Sequence, residues 1–259
     1  HDGLPQSLEE NIQTYGLTHL KIKLCGDVSQ DLGRLKQISG LMEGQAEYAF
    51  TLDGNEQYRQ IAPFRTLWES ILNDVELSEF MQGLIFVEQP IQRDRALGRE
   101  VKLELQAWSD RPPMIIDESD GEFSSASEAL DCGYVGTSHK NCKGIFKGLA
   151  NSCLMAHRRR LDPSGRYVLS SEDLANVGPV ALTQDLAVIA SLGIKDTERN
   201  GHHYFAGLSM YSELLQAEVL EHHGDLYRQH EKGFPTLDIK GGRIDINSVV
   251  EAPFGYGFD

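Results

Sequence analysis

Short apolar runs alternate with amphipathic segments along most of the chain. The runs are short enough for buried strands, and the segments between them repeat apolar residues at the i, i+3, i+4 spacing of helices. The predicted strands are 18–24, 48–52, 84–87, 114–116, 134–138, 167–169 and 204–208. The predicted helices are 7–15, 30–42, 61–80 with an interruption near residue 73, 97–108, 125–130, 145–159, 183–192 and 212–222. Strands that alternate with helices in this way predict a parallel sheet.

A carboxylate directly follows three of the predicted strands: Asp53, Glu88 and Asp117. A parallel barrel places its functional residues at the C-terminal ends of its strands. A doubly wound sheet would also alternate strands with helices, but it has no need of an acid at successive strand ends. We therefore predict an α/β fold of the TIM-barrel type.

The spacing of these acids indicates a metal site. Lys23, Asp53, Glu88 and Asp117 are each separated from the next by 29 to 35 residues, about one strand-plus-helix unit. Three carboxylates with no His or Cys among them favour Mg²⁺ or Mn²⁺ over zinc. The alternative is that each acid only caps the following helix. Helix capping explains Asp53 well. It explains Glu88 poorly, because Glu88 precedes Gln89-Pro90.

Two lysines lie on the first predicted strand. Lys21 and Lys23 alternate with apolar residues, so both side chains are expected on one face of the strand. A lysine beside a cation and a second lysine gives up its proton more readily, which suits a general base. The alternative is an edge strand with a solvated lysine face.

Composition excludes several classes of function. The formal net charge of −15 disfavours nucleic acid and anionic membranes as partners. We also expect neither a membrane span nor a signal peptide. The four cysteines match neither a CxxC zinc site nor a disulfide framework, so we expect reduced thiols and a cytoplasmic protein.

The C-terminal tail has a different pattern. Residues 236–240, the pair Gly241-Gly242 and residues 243–246 predict a β-hairpin. We expect residues 1–259 to form one barrel domain, with residues 234–259 packing outside the barrel as this hairpin and tail.

Four motifs in this order resemble the enolase superfamily, and most closely its muconate lactonizing enzyme-like and mandelate racemase-like branches. The resemblance covers roughly residues 18–210. Its motifs are Lys21-Ile22-Lys23, Leu52-Asp53-Gly54-Asn55, Phe86-Val87-Glu88-Gln89-Pro90 and Ile116-Asp117-Glu118-Ser119. The resemblance implies Mg²⁺-dependent removal of the proton α to a substrate carboxylate, with the metal stabilising an enediolate.

The resemblance also implies roles for individual residues. Asp53, Glu88 and Asp117 would hold the metal, Lys23 would be the base, and Lys21 would promote loss of its proton. Residues that the resemblance places near the substrate are Asn55, Glu118, Glu172 and His139.

The opposing acid/base is ambiguous in the sequence. The lactonizing branch has a K-x-x-K-x-G-G pattern at this strand, whereas this chain has Ser138-His139-Lys140-Asn141-Cys142-Lys143-Gly144. Lys140 fits if one residue is deleted before the glycine, and it is our prediction. Strict counting back from the glycine favours Ser138 or His139 instead. The alternative for Lys140 and Lys143 is a cationic, solvated loop.

Family members carry an N-terminal capping domain that this chain lacks, and the KxK strand is normally the second of the barrel. We therefore expect a (β/α)7β TIM-type barrel without its first strand, from a longer polypeptide that forms a homo-oligomer and acts on a small carboxylate-containing substrate. The expected outcome is racemisation or epimerisation, cycloisomerisation or dehydration. The alternatives are a metal-dependent aldolase or decarboxylase, and a catalytically silent carboxylate-binding barrel fragment.

Overall fold

Six parallel strands form one sheet, and each strand lies beside the next one along the chain. The computed structural model describes residues 3–172 and 175–258. The strands are β1 His19–Lys23, β2 Ala49–Asp53, β3 Leu84–Glu88, β4 Met114–Ile116, β5 Gly136–His139 and β6 Val168–Ser171. An α/β sheet in this sequential parallel order is consistent with part of a TIM-type barrel.

Helices lie between the strands and continue after them. They are α1 Leu8–Tyr15, α2 Val28–Met42, α3 Ile61–Asn73, α4 Arg93–Ala96, α5 Arg99–Ala107, α6 Ser125–Cys132, α7 Ile145–Leu161, α8 Val180–Ser191, α9 Gly201–Tyr204, α10 Glu213–His222 and α11 Asn247–Glu251. A second sheet consists of the antiparallel pair β7 Tyr227–Gln229 and β8 Pro235–Leu237. None of the helices in the described part of the chain is both long and apolar enough to cross a membrane.

The chain divides into two compact units. The sheet unit comprises His19–His139 and Phe146–Ser170. The C-terminal unit comprises His1–Thr18, Lys140–Ile145 and Ser171–Asp259.

Local sequence signals account for several helix ends. Ser7 and Glu10 form a capping box at the start of α1, where the Ser7 hydroxyl accepts from the Glu10 amide at 3.1 Å and the Glu10 carboxylate accepts from the Ser7 amide at 3.0 Å. Asp27 caps α2 by accepting from the Gln30 amide at 2.9 Å. Gly133 ends α6 at φ 112°, a conformation that favours glycine.

The core of the sheet unit is apolar and aromatic. The Phe50 and Phe80 rings stack with centroids 4.2 Å apart, and the Phe64 and Trp108 rings form a T-shaped pair with centroids 6.0 Å apart. Fully buried side chains on the helices and strands continue this core: Leu35, Leu52, Leu67, Ile71, Leu105, Ile115 and Ile116. Because interiors are close-packed, this layer fixes the register of the strands, which shifts once between β2 and β3 at Phe50 and Thr51.

That register brings the strand ends to one level. Lys23 of β1 pairs with Asp53 of β2, and Asp53 pairs with Glu88 of β3. Glu88 in turn pairs with Ile115, which pairs with Gly136 of β5. Residues separated by a strand and a helix in the sequence are thus neighbours at the C-terminal edge of the sheet.

Six of the seven predicted barrel strands are confirmed, with ends within two residues of the prediction. The seventh, predicted at 204–208, is wrong. Tyr204 ends the short helix α9, and successive turns follow, in which the Gly207 amide donates to Phe205 and the Ser209 amide to Ala206. Gly207 has φ +53°, which an extended strand does not permit.

The hairpin predicted over residues 236–246 is also wrong in extent. The turn at Gly241-Gly242 forms, with φ of +57° and +69°, but it closes only an isolated bridge between Lys240 and Arg243. The first half of the predicted hairpin instead contributes to β8, which pairs with β7. Pairing with β7 buries Leu237 against Leu226 and Val249 in the core of the C-terminal unit.

A buried histidine links three segments of the C-terminal unit. The Gly257 amide donates to Nε2 of His223 at 3.2 Å, so Nε2 is an acceptor and the proton of the neutral ring is on Nδ1. Nδ1 donates to the Ser248 hydroxyl at 2.8 Å. Ser248 in turn donates from its hydroxyl and its amide to the Asp225 carboxylate. Protonation of His223 would leave the Gly257 amide without its acceptor.

We therefore expect the protein to lose stability in mild acid through this residue. Burial lowers the pKa of His223 below its usual value near 6.5, despite the opposing charge of Asp225. Since the unfolded chain binds this proton more readily, the contribution is complete above pH 6.5 and is lost as the pH falls through the folded-state pKa. The urea concentration at the unfolding midpoint should fall between pH 7.5 and pH 5.5, and this fall should be larger for the wild-type protein than for His223→Gln. An equal drop in both proteins would contradict this.

Candidate active site

Three buried carboxylates lie at the C-terminal ends of neighbouring strands. Asp53 and Glu88 are the last residues of β2 and β3, and Asp117 directly follows β4. A carboxylate oxygen of Glu88 lies within 4.8 Å of one of Asp117. The acids that the sequence singled out therefore lie at one edge of the sheet.

A buried ammonium group joins two of these acids. Lys21 Nζ is 2.9 Å from Asp53 Oδ2 and 3.0 Å from Glu88 Oε2. Lys23 Nζ is 2.6 Å from the same Asp53 oxygen. The two lysines differ in exposure, at 10% of the side chain for Lys21 and 49% for Lys23. Lys21 thus acts as an internal counterion, whereas Lys23 is accessible to a molecule that approaches from solvent.

The two acids bound to Lys21 respond differently to burial. Burial alone would raise the pKa of Asp53, but Lys21 and Lys23 together outweigh it and hold that pKa below its usual value. Burial raises the pKa of Glu88 to about 8, even though Lys21 opposes the shift. The charges of Asp53 and Asp117 add to it. Ionisation of Glu88 is therefore disfavoured, because Lys21 does not offset the burial and the two neighbouring acids.

The donor set suits a hard divalent cation. Glu88 Oε1 is buried and has no hydrogen-bond partner among the described residues, and the same holds for Glu118 Oε2. Carboxylate oxygens are the ligands that Mg²⁺ and Mn²⁺ prefer. In this structure Asp53, Glu88 and Asp117 are not a set whose ligand oxygens all lie within 4.8 Å of one another. Asp53 is instead turned toward the two lysines.

The loop after β2 brings two predicted substrate-binding residues together. The Asn55 amide donates to Asp53 Oδ1 at 2.9 Å, and the Asn55 side chain donates to Glu118 Oε1 at 3.5 Å. Burial raises the pKa of Glu118, and the charge of Asp117 adds to the shift. The turn requires Gly54, because a Cβ there would lie 2.5 Å from Pro90 Cα.

Strand register distinguishes the candidates for the opposing acid/base. Ile115 pairs with Gly136, so continuing the register by two residues places Ser138 level with Asp117. By strand alternation, Ser138 therefore lies on the same face of the sheet as the strand-end acids, and His139 lies on the opposite face. Both residues are buried. Lys140 follows β5, and its Nζ lies 2.5 Å from Oε1 of Glu172 within the C-terminal unit.

Sequence reasoning missed two buried polar groups that hold the loop after β4. Gln89 bonds to the amides of Asp117 and Ser119. Farther along the loop, Asp120 accepts from the Thr137 hydroxyl at 2.9 Å and lies 3.0 Å from Lys147 Nζ. The motif Glu88-Gln89-Pro90 was the only sequence signal for Gln89, because a polar residue between a buried strand and a proline is expected to need buried hydrogen-bond partners. No sequence signal indicated Asp120.

Three solved structures share this fold over most of the chain. The mandelate racemase/muconate lactonizing enzyme from Roseiflexus sp. matches with a TM-score of 0.53 and 21% identity, over 76% of this chain and 51% of that one. O-succinylbenzoate synthase from Thermosynechococcus elongatus, complexed with magnesium in its active site, matches with a TM-score of 0.50 and 20% identity, over 73% and 56%. The mandelate racemase/muconate lactonizing enzyme from Bordetella bronchiseptica matches with a TM-score of 0.57 and 15% identity, over 95% and 57%.

The chain spans a little over half the length of these structures. No family model matches the sequence, and no curated protein matches it. At these identities the likeness is one of fold. For the fold, the comparison confirms the resemblance to the enolase superfamily that the strand-end motifs predicted.

Proposed function

We propose that the protein removes the proton α to the carboxylate of a small substrate, with the help of Mg²⁺. The observation that carries this proposal is the cluster of Lys21, Lys23, Asp53 and Glu88, in which two lysines from one strand contact acids at the ends of the next two. The shared fold supports the class of chemistry, since all three similar structures are enolase-superfamily enzymes.

Asp53, Glu88 and Asp117 would hold the cation. When bound, it supplies an electrophile that offsets the negative charge growing on the substrate carboxylate as the α-proton leaves. The orphaned Oε1 of Glu88 is available to it without the loss of any protein contact recorded in the described residues.

Lys23 is the base in this proposal. Its Nζ is anchored to Asp53 Oδ2, the oxygen that also accepts from Lys21. When that oxygen is engaged elsewhere, Lys23 loses its contact with Asp53 and its Nζ is released toward the substrate. Its half-exposed position lets the amine reach a carbon acid that enters from solvent, whereas Lys21 is too enclosed to do so.

The outcome of the reaction depends on whether a second acid/base lies across the substrate from Lys23. A serine hydroxyl at Ser138 is not a base at neutral pH, so two-sided racemisation or epimerisation would require Lys140, as we predict. With Lys23 alone, one-sided outcomes such as dehydration or cycloisomerisation follow. Asn55, Glu118, His139 and Glu172 stay proposed substrate contacts.

Exchange of the α-proton with solvent tests this proposal. In D₂O with Mg²⁺, we expect the protein to exchange the α-proton of at least one member of a panel of mandelate, aldonates and N-acyl amino acids, measured by NMR. Adding EDTA should stop the exchange. No exchange in any member of the panel would count against α-proton abstraction and favour the aldolase, decarboxylase or silent-binding alternatives.

Direct metal titration tests the ligand assignment without a substrate. Glu88→Gln should weaken Mg²⁺ binding by calorimetry by at least the ~10–100-fold that loss of an outer-shell partner costs. Glu69→Gln, on the exposed face of α3 where Glu69 pairs with Arg65, is the matched control and should bind like the wild type. Equal Mg²⁺ affinity in all three proteins would show that Glu88 is not a metal ligand.

A further inference from the structure

Gln89 is a fully buried amide whose side chain has every hydrogen-bonding position filled. Its Oε1 accepts from the Asp117 amide at 2.7 Å and from the Ser119 amide at 3.2 Å. Its Nε2 donates to the Ile91 carbonyl at 2.6 Å and to the Ser119 hydroxyl at 2.8 Å. One side chain thus ties the segment after β3 to the segment after β4.

The backbone of Gln89 adds a third segment. Its amide donates to the Ile115 carbonyl at 2.9 Å, and its carbonyl accepts from the Glu56 amide at 2.9 Å. Glu56 belongs to the loop after β2, where Arg93 holds its carboxylate with two bonds of 2.8 and 2.6 Å. The loops after β2, β3 and β4 are therefore joined through one residue.

The conformation of Gln89 is itself strained. Its φ is +33°, which a residue with a side chain adopts only when its surroundings impose it. Strain of this kind is found where a precise geometry is needed, and Gln89 immediately follows Glu88. A shift of its backbone would move the Glu88 carboxylate directly.

No other residue type reproduces these contacts. Asparagine is one methylene shorter, glutamate lacks both N–H donors, and methionine fills the same space without polar atoms. Replacement by any of them leaves buried amide and carbonyl groups without partners.

We propose that Gln89 is a positioning residue that sets the separation of the Glu88 and Asp117 carboxylates. It does so by holding the Asp117 amide from the end of the neighbouring strand. This inference rests on the proposed metal-dependent function, because the spacing matters only if both carboxylates serve one cation. Gln89 itself would touch neither metal nor substrate.

The test compares Gln89→Met with Thr137→Val. Both changes remove buried hydrogen bonds that hold the loop after β4, but Thr137 contacts Asp120 rather than Asp117. Both variants should lower the melting temperature. Gln89→Met should weaken Mg²⁺ binding by ~10–100-fold in a calorimetric titration, whereas Thr137→Val should change it less than threefold.

Amide hydrogen exchange, followed by NMR in the absence of metal, gives a second readout. The Asp117 and Ser119 amides should exchange faster in Gln89→Met and should keep wild-type protection in Thr137→Val. Wild-type Mg²⁺ affinity in Gln89→Met would overturn the positioning role, and so would an equal loss of affinity in both variants. If the wild-type protein binds no Mg²⁺, the proposed function fails. The hydrogen bonds from Gln89 to the loop after β4 can still be tested in that case, because unchanged protection of these two amides in Gln89→Met would show that Gln89 does not hold them.

Discussion

Replacing Lys23 by methionine is expected to lower the rate of α-proton exchange by roughly 10²–10⁴-fold, the usual contribution of a positioned general base. The fold and the metal ligands should survive, because Lys23 is half exposed and Asp53 keeps its contact with Lys21. NMR-detected exchange in D₂O gives the rate, and calorimetry gives the Mg²⁺ affinity. Affinity should stay the same or rise, since Asp53 then has one competing ammonium fewer.

Lys36→Met is the matched control for this experiment. Lys36 also bonds to an aspartate, Asp74 at 2.9 Å, but it lies on the surface away from the strand ends. It should exchange the α-proton at the wild-type rate. If Lys23→Met kept full activity as well, Lys23 would not be the base, and a metal-dependent aldolase or decarboxylase would become the better explanation of the site.

Replacing Lys21 by methionine is expected to destabilise the metal-free protein by about 3–5 kcal/mol, the cost of removing one partner from a buried ion pair. Lys21 is the internal counterion of both Asp53 and Glu88, and neither carboxylate can be rehydrated where it lies. The free energy of unfolding from urea titration measures the loss. Lys23→Met removes a half-exposed partner of Asp53 and should cost only ~0–1 kcal/mol.

The loss should depend on pH and on metal. The pKa of Glu88 is raised to about 8, so its protonation favours the folded state in acid, and that contribution is lost as the pH rises through 8. Without Lys21, the ionised form becomes still less favourable, so the destabilisation should be larger at pH 8.5 than at pH 5.5. Mg²⁺ should restore much of the stability at pH 8.5, because it replaces the missing positive charge. A loss that is independent of both pH and Mg²⁺ would show that Lys21 matters only for packing.

The sheet was predictable because its signals are local. Apolar residues such as Phe50, Leu52 and Val87 are buried, and strands that alternate with helices in sequence are most simply arranged as parallel neighbours. The acids at the strand ends then follow from chain order alone. Where a glycine adopts a positive φ, as at Gly207, an apolar run looks like a strand in the sequence but folds into turns.

The partners within the site were less predictable. The alternation of Lys21 and Lys23 placed both on one face, but only packing made one of them buried and the other half exposed. The sequence also left Ser138, His139 and Lys140 open, since a shift of one residue along a strand exchanges its two faces. The register of β4 with β5 places Ser138 on the same face of the sheet as the strand-end acids.

By itself, the sequence determined the order of strands and helices, the strand-end carboxylates Asp53, Glu88 and Asp117, and the pair of lysines on β1, because periodicity and spacing are properties of the local chain. The tertiary structure alone decided that Lys21 joins Asp53 to Glu88 and that Gln89 ties the loops after β2, β3 and β4 together. Those contacts connect residues 26 to 67 positions apart, and which buried groups find partners depends on how the strands pack side by side.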